Sequence, residues 1–543
     1  MCILAAKLYK QMKKPLSLFL LILLFSTVKA QFKQIAEGPV FKEPEEGFAK
    51  VLQLKNGNTM FLDISLKEGI QVHMYNPAHH ETAITQVDPS YGKISRGGNI
   101  KGAFEINGDV VLMVSSLDSR VPTLYRVIID GKTGTLKDDT KIAELGKVNI
   151  FQGYSMAFGG VPIPDFFVRK DPNSDNYAVV LFNTFESDRS KRIEIVSYGT
   201  NNKEMSRAYY ASPDEKYKYL HYIDMAVIGS EKVCVLAYGY NKLNDGDSEL
   251  ILANLDKGAK EVSYTELGFS QDLSVYQGVA RYSPATKSVI LSVVVKQKGS
   301  RNEYSSVLTF INPFEKKINK FNEISPSDRI NAFASSKKGF RGLPQNIFIN
   351  QDGTFTVVYE EMEIITRTSY GVNVSSSSNS STTLGDLAVV NYSKTGEPIN
   401  DFIIRKSHVL SNTLLDPFYH SVREGSAQEL RGGNQFKSFA YLDGISKSFI
   451  LFNDTERNNE KQEQGSLVSI QGVSDCDGFY YAIAGANAVP KRDYVFGNPA
   501  GKHDHNLGLF SISDYDRKNN VYVTLELSKE DGKKGVKVVW LQP

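Results

Sequence analysis

Short apolar runs separated by polar turns recur along most of the chain. Representative runs are Val110–Val114, Ala178–Phe182 and Val289–Val295, which are rich in β-branched and aromatic residues. The runs are too short for helices. Their apolar residues follow one another without the alternation expected of a strand with one solvent-exposed face, so the pattern predicts strands buried on both faces. Eight turns precede such runs, at residues 55–58, 106–109, 171–176, 228–232, 283–287, 350–354, 443–447 and 514–520.

A second strand-like run follows each of these runs, and a weaker fourth strand usually comes after another polar turn. No long helical period interrupts the pattern. Repeated four-stranded antiparallel units with doubly buried central strands are typical of a β-propeller. A pair of β-sandwich domains is the alternative, but it would show stricter alternation of apolar and polar residues. We therefore predict an all-β fold of eight four-stranded blades, or seven if residues 343–435 are misread.

The two ends of the chain complement each other in this scheme. The last unit has strands near residues 507–513, 520–528 and 536–542 and lacks a fourth strand. Residues 34–42 form an extended segment before the first complete unit and have no local partner. We expect this N-terminal segment to supply the outer strand of the last blade, because closure removes an open sheet edge.

Residues 1–30 have the features of an export signal. Four lysines within residues 7–14 precede the apolar run Leu16–Phe25, and small residues follow, which predicts cleavage before Gln31. The run is short for a bilayer span, although a retained membrane anchor is the alternative. We expect residues 31–543 to form a single propeller domain in the periplasm, at the cell surface or outside the cell.

Composition and charge exclude several classes of protein. The 543 residues are 41% hydrophobic and 23% charged, as in ordinary globular proteins. Loss of residues 1–30 removes five lysines and no acid, so the net charge falls by five, from +2 to −3. A near-neutral chain argues against nucleic acid as the main partner, because phosphate binding needs clustered positive charge.

Two cysteines remain after residue 30, and we expect no disulfide between them. Cys234 lies inside an apolar run, whereas Cys476 lies in a polar loop of a different unit. An exported protein without cross-links must be stabilised by its core.

Two long loops interrupt the repeat. Residues 366–385 contain a serine-rich stretch that predicts a flexible insertion within one hairpin. Residues 406–435 form a long irregular connection between blades. Long loops carry function in many proteins, but they are also where insertions are tolerated.

Arginine–glycine pairs precede several predicted innermost strands and suggest an anion site around one mouth of the ring. Glycine allows a ligand to approach the backbone closely, and arginine is a planar donor for carboxylate or phosphate. Chance recurrence of these dipeptides is the alternative reading. The candidate ligand-binding residues are Arg96, Arg341, Arg431, His221 and His503.

Carboxylates supply the candidates for catalysis and for metal binding. Asp165 and Asp224 begin innermost strands and could act as a glycosidase pair if their separation fits. Asp245, Asp247 and Glu249 lie in an oxygen-rich turn that could bind calcium, although its spacing does not match a known calcium loop. No nucleophile elbow, zinc motif, phosphate loop or dinucleotide fingerprint occurs, and no cofactor is predicted.

The turn-and-strand pattern as a whole resembles uncharacterised exported β-propeller-like proteins of bacteria. This resemblance implies architecture and export, and it carries no catalytic residue. The favoured function is non-enzymatic binding of an anionic small molecule, glycan or protein at one ring face. A carbohydrate-active hydrolase or lyase and a structural component of a cell-surface assembly are the alternatives, because propellers serve all three functions.

Overall fold

The computed structural model describes residues 32–543 with several gaps. The gaps are residues 66, 95–96, 148, 150–160, 213–214, 243–246, 269–272, 298–303, 316, 319–321, 371–375, 464, 485–488, 500, 502 and 531–532. The predicted signal sequence therefore lies outside the described residues.

Eight antiparallel sheets follow one another along the chain and form an eight-bladed β-propeller, as predicted. In the first four blades each sheet takes its strands in chain order from the innermost outward. Strand β1 (Lys33–Glu37) precedes them, and the blades are β2 (Glu46–Gln53), β3 (Thr59–Ser65), β4 (Gly69–Tyr75), β5 (Glu81–Val87); β6 (Asn99–Ile106), β7 (Asp109–Asp118), β8 (Val121–Ile129), β9 (Leu136–Glu144); β10 (Asp165–Lys170), β11 (Tyr177–Phe182), β12 (Ile193–Tyr198), β13 (Glu204–Tyr210); and β14 (Tyr219–Ile228), β15 (Lys232–Tyr240), β16 (Ser248–Asp256), β17 (Ser263–Glu266).

The other four blades carry the additions to the basic unit. Short extra strands pair within blades 5 and 6, and two short helices lie in the connections. The elements are β18 (Leu273–Ser283), β19 (Ser288–Gln297), β20 (Tyr304–Asn312), β21 (Lys317–Ile318), β22 (Asn322–Ile324); helix α1 (Asp328–Phe333); β23 (Leu343–Ile349), β24 (Phe355–Tyr370), β25 (Ser376–Tyr392), β26 (Pro398–Ile404), β27 (His408–Ser411); helix α2 (Tyr419–Gly425) and β28 (Gln428–Arg431); β29 (Ala440–Asp443), β30 (Ser448–Asp454), β31 (Asp477–Ile483), β32 (Arg492–Tyr494); and β33 (His505–Asp516), β34 (Val521–Glu530), β35 (Lys533–Gln542).

Central strands are buried on both faces because each blade packs between two neighbours. Every residue of β15 is buried. Cys234 and Leu236 pack with side chains of blade 5, whereas Val233 and Val235 pack with side chains of blade 3. Outer strands have one face exposed to solvent, and β13 accordingly alternates buried and exposed positions. The continuous apolar runs of the sequence therefore record burial between adjacent sheets.

The ring closes through the N-terminal strand, as predicted. Strand β1 pairs antiparallel with β35, so blade 8 consists of β33, β34, β35 and β1. Lys537 holds Glu37 in an ion pair of 2.6 Å. Just before β1, the ring of Phe32 packs against blade 7, with centroids 5.1 Å from Phe449 and 4.7 Å from Tyr480. The closing segment thus joins blade 8 to blade 7 as well as completing a sheet.

Both predicted long loops have more regular structure than expected. Residues 366–370 and 376–385 lie in the paired strands β24 and β25, and β27 pairs with β25 there; residues 371–375 lie outside the described residues. Residues 406–435 contain β27, α2 and β28, and β28 pairs with the innermost strand β2 of blade 1. The connection between blades 6 and 7 therefore crosses the centre of the ring.

The two cysteines are free and buried, so no disulfide links them. Cys234 packs between blades 4 and 5, and Cys476 packs with residues of blades 1 and 8. Burial raises the pKa of both thiols, which keeps them protonated.

We predict that Phe32→Ala weakens ring closure. The substitution removes a ring that is only 5% exposed, and it should lower the free energy of unfolding by about 3 kcal/mol, the lower end for a buried Phe→Ala change. Urea unfolding followed by tryptophan fluorescence measures this, because Trp540 lies in the adjoining sheet. Val40→Ala, at a side chain 66% exposed, is the control and should change little. Equal midpoints for the two variants would contradict a closing role for Phe32.

Candidate functional site in the central channel

Among the described residues, the innermost strands of five blades contain β-bulges or other irregularities. Register shifts occur in β6, β14, β18, β23 and β33. In β14 the shift lies between Tyr222 and Asp224, and in β23 it lies between Pro344 and Asn346. Because a bulge bends its strand and re-aims the side chain that follows, Asp224 and Asn346 become available to neighbours on other blades.

Asp224 joins three adjacent blades through its carboxylate. The guanidinium of Arg169 on β10 pairs with one oxygen. The other oxygen accepts a 2.8 Å hydrogen bond from the backbone N–H of Ala280 and lies 3.4 Å from Arg281 Nη1 on β18. Asp224 is 2% exposed, and two cations compensate the loss of its hydration. Both carboxylate oxygens of Asp224 are therefore committed to structure.

Helix α2 blocks part of the channel and is tied to the innermost strands. Asn346 Nδ2 donates to Glu424 Oε2 at 2.8 Å and lies 3.3 Å from His420 Nδ1. Lys50 Nζ, on β2, donates to the backbone oxygen of Glu424 at 3.1 Å. Burial and the nearby charge of Arg423 hold the pKa of His420 well below its usual value, so its Nδ1 is free to accept from Asn346. The helix is thus fixed to blades 1 and 6.

A second buried ion pair fixes the start of α2. Tyr419 donates its hydroxyl to Glu360 Oε2 at 2.6 Å, and Lys406 pairs with the other oxygen of Glu360. The Glu360 and Lys406 side chains are fully buried. Because the pair sits where the connection leaves blade 6, it anchors the segment that enters the channel.

A cavity of about 620 Å³ remains beside α2, which is within the range of small-molecule sites. It lies toward the turn face, the face formed by the turns that follow the innermost strands. The opposite face, formed by the loops that lead into those strands, is the leading face. The cavity lining includes Phe104, Arg169, Lys170, Asn173, Met225, Val227, Arg281, Tyr282, Phe348, Asn350, Gln351, Glu424 and Asp443.

Arg169 lines this cavity and has a buried nitrogen whose hydrogen-bonding capacity is unused among the described residues. Its Nη2 contacts Asp224, but its Nε is buried and has no acceptor among the described residues. Burial opposes the positive charge of Arg169, but Asp224, Tyr222 and Glu424 together raise its pKa. By contrast, Arg281 donates to Asp224, Asn346 and the backbone oxygen of Ala280. An acceptor group of a ligand would satisfy Arg169 at little cost to the network.

The two candidate catalytic carboxylates belong to separate ion pairs. Asp165, the first residue of β10, pairs with Lys101 at 2.6 Å and accepts from the backbone N–H of Phe166. Arg169, the partner of Asp224, comes four residues later, about 13 Å along the strand. Asp165 therefore lies toward the leading face, and its contacts do not bring it to Asp224.

The predicted arginines lie at the leading face where they are described. The backbone N–H of Arg341, just before β23, donates to Glu361 Oε1 at 3.0 Å. Arg431, the last residue of β28, pairs with Glu429 and lies opposite Glu46. Arg96 lies outside the described residues, so a ring of these three arginines stays a prediction.

The predicted histidines differ from each other in environment. His221 lies on β14, where burial lowers its pKa despite a hydrogen bond with the backbone of Tyr276. His503 is exposed, and the neighbouring His505 contacts Asp477 at 3.1 Å instead. No contact among the described residues links His221 with His503.

The candidate calcium turn is only partly described, because Asp245 falls in a gap. Asp247 accepts from Asn241 Nδ2 at 3.2 Å, and Glu249 is buried and accepts from the backbone N–H of Leu250. Within the described part of the chain, no group of three or more histidine, cysteine or acidic side chains is arranged to hold a metal ion. The calcium site at Asp245, Asp247 and Glu249 therefore stays a prediction.

The channel residues Arg169, Arg281, Asn346 and Glu424 were not anticipated from the sequence. A partial signal exists, since Arg281 and Asp224 interrupt otherwise apolar innermost strands. A charge within a buried strand demands a partner, but the sequence does not say which of eight blades supplies it.

Comparison with known proteins gives architecture alone. No family model and no curated protein matches the chain. Similar solved structures include the quinohemoprotein alcohol dehydrogenase of Comamonas testosteroni, with 10% identity, TM-score 0.36, and coverage of 80% of this chain and 66% of that one. Polysaccharide lyase Uly1 is also similar, with 9% identity, TM-score 0.36, and coverage of 84% of this chain and 92% of that one. An uncharacterized protein of Listeria monocytogenes EGD-e has 11% identity, TM-score 0.32, and coverage of 74% of this chain and 98% of that one. These likenesses imply no substrate or partner.

Among the helices that the structure describes, none has the length and hydropathy needed to cross a membrane.

We predict that Asn346→Ala loosens α2 in the channel. The substitution removes the amide of Asn346, a fully buried residue that hydrogen-bonds both Glu424 and Arg281. This loss costs about 1–3 kcal/mol of stability. Hydrogen exchange of the α2 amides should also accelerate relative to the blades. Asn400→Ala, an exposed amide of the same blade, should leave both quantities unchanged. Unchanged α2 exchange in Asn346→Ala would show that this contact does not hold the helix.

We predict that Glu361→Gln stabilises the protein at alkaline pH and much less near pH 4.5. Burial raises the pKa of Glu361 from 4.5 to about 7, and the charge of Asp386 adds to this. The folded state therefore holds the proton more tightly than the unfolded state, and stability falls as pH rises from about 4.5 to 7. Removal of the charge should add about 1–3 kcal/mol at pH 8. Denaturant titrations of both proteins at the two pH values measure the difference; an equal effect at both would contradict the raised pKa.

Proposed function

We propose that the chain is an exported, non-enzymatic binding protein that holds a small polar ligand in the channel cavity at the turn face. Residues 1–30 serve as the export signal in this proposal, and residues 31–543 form the binding domain. The observation that carries it is the coincidence of a ligand-sized cavity with the buried Nε of Arg169, which has no acceptor in the part of the chain that the structure describes.

The lining suits a ligand with a hydrogen-bond acceptor and an apolar part. Arg169 and Asn173 offer donors, while Phe348 and Tyr282 supply ring surfaces. Small-molecule sites commonly combine an apolar wall with a few fixed polar groups. Because Asp224 fixes the guanidinium of Arg169, little side-chain entropy is lost when a ligand binds.

Hydrolysis of a glycan receives less support than binding. The carboxylates of Asp165 and Asp224 serve separate ion pairs, whereas a glycosidase needs two carboxyl groups about 5–10 Å apart on either side of one bond. Glu424 and Asp443 both line the cavity, but each is already engaged, Glu424 by Asn346 and Asp443 by Arg517. These contacts favour binding over the acid and base roles of a glycosidase.

The test is a thermal-shift screen of residues 31–543 with neutral sugars, uronic acids, amino acids and dicarboxylic acids. A ligand that binds only the native state raises the unfolding midpoint, and a concentration about 100-fold above Kd adds about 2.7 kcal/mol. We expect at least one class to raise the midpoint in the wild-type protein. Arg169→Lys should abolish the shift, because it keeps the charge beside Asp224 and removes Nε.

Arg207→Lys is the matched control for this exchange. Arg207 pairs with Glu194 and Glu204 on outer strands of blade 3, away from the cavity, so the ligand-induced shift should persist. Gln351→Trp, at the exposed rim of the cavity, should reduce the shift by obstruction. A shift that survives both Arg169→Lys and Gln351→Trp would place the ligand elsewhere, and no shift with any class would refute the cavity as a small-molecule site.

A further inference from the structure

A second site lies at the leading face, between blades 3 and 4. It is a slot of about 30 Å³, which exceeds the roughly 10–15 Å³ that one water molecule needs. Its described lining residues come mostly from the end of β11, from the loop between β11 and β12, and from residues 211–212 and 215–220. Its polar lining is Thr184, Arg189, Arg192, Ser212, Glu215 and Lys218, with Phe182 and Tyr219 as aromatic walls.

The slot has an excess of positive charge. Arg189, Arg192 and Lys218 line it together with one acid, Glu215, which leaves a formal charge of +2. Within the described part of the chain, the three cations have no carboxylate within ion-pair distance. Burial and then the charge of Arg189 lower the pKa of Arg192, while Tyr219 and Glu186 act in the opposite direction. A bound anion would relieve the repulsion from Arg189.

Arg192 is fixed in place by contacts that leave its charge uncompensated. Its Nε donates to the backbone oxygen of Glu186 at 2.7 Å, and its Nη1 donates to the backbone oxygen of Lys218 at 3.1 Å. These bonds tie the two walls of the slot together. The ammonium of Lys218 lies 5.1 Å from the centre of the Tyr219 ring, so it also stays near the slot.

A buried hydroxyl adds a donor that has no partner among the described residues. Thr184 is 8% exposed, and its Oγ1 makes no hydrogen bond among the described residues. An unsatisfied buried hydroxyl costs about 1–3 kcal/mol unless a ligand or water completes it. Thr184 lines the same slot as the three cations, so its hydroxyl is a candidate donor to a ligand bound there.

We propose that this slot binds the phosphoryl group of a phosphate monoester or of free phosphate. A phosphoryl group carries about −1.5 to −2 charge at neutral pH and offers three acceptor oxygens, which matches the charge of +2 and the hydroxyl donor. In this proposal the slot takes the phosphoryl oxygens, and the rest of an ester lies outside, where Tyr219 offers a ring surface. This site is separate from the channel cavity and does not depend on the proposed function.

Calorimetric titration of residues 31–543 at constant ionic strength tests the proposal. The probes are inorganic phosphate, glucose 6-phosphate, sulfate and acetate. We expect saturable binding of both phosphates, with sulfate and acetate at least about tenfold weaker because sulfate offers no protonatable oxygen to Glu215 and acetate has a single charge. Tighter binding of the sugar ester than of free phosphate would identify an ester as the natural ligand, and the reverse would identify the free ion.

Substitutions in the slot should weaken binding without unfolding the protein. Arg189→Ala and Lys218→Ala, at exposed side chains, should each weaken phosphate binding about five- to tenfold, and Thr184→Val should weaken it about threefold or more. Lys191→Ala is the matched control. Lys191 lies on the same turn, pairs with Asp188 at 3.1 Å and does not line the slot, so its loss should change affinity less than about twofold.

Three outcomes would overturn the proposal. One is no saturable binding of either phosphate. Another is equal affinity for acetate or sulfate, which would indicate a general anion surface. The third is a loss in Lys191→Ala as large as in Arg189→Ala, which would indicate diffuse charge attraction. Thermal midpoints of all variants, measured without ligand, separate these outcomes from misfolding.

Discussion

Burial of the central strands on both faces is the constraint on which the rest of the structure depends. A sheet such as that of β15, apolar on both sides, needs a neighbour on each side. An open row of such sheets would always leave the outer face of each end sheet exposed to solvent. A closed ring leaves no such face exposed. Closure in turn requires the chain ends to meet, which β1 achieves by completing blade 8 and by placing Phe32 against blade 7.

The ring creates a second problem at its axis, where the innermost strands converge. The protein fills much of this space with charged and polar groups from different blades, and helix α2 lies among them. The buried charge of Asp224 is compensated by Arg169 and Arg281, and the half-exposed Glu424 contacts Arg281 and Asn346. What remains is a cavity toward the turn face, with Arg169 only partly satisfied.

The two proposed sites use arginine in different ways. In the channel, Asp224 neutralises Arg169, which therefore offers a directed hydrogen bond more than a charge. In the slot between blades 3 and 4, Arg192 is held only by backbone oxygens and keeps its charge for a ligand. The same residue type thus supports recognition of a polar acceptor at one face and of a multiply charged anion at the other.

The sequence alone determined the propeller architecture, the doubly buried strands and closure by the N-terminal segment, because burial on both faces leaves a local signal in runs such as Val289–Val295; it favoured eight blades over seven, and the structure has eight. It also placed Asp224 on an innermost strand. Only the tertiary structure decided that Asp224 pairs with Arg169, that residues 419–431 enter the channel, and that Arg189, Arg192 and Thr184 share a slot. These contacts join residues of different blades or loops, and their geometry depends on bulges, loop paths and sheet packing, which the turn-and-strand pattern does not encode.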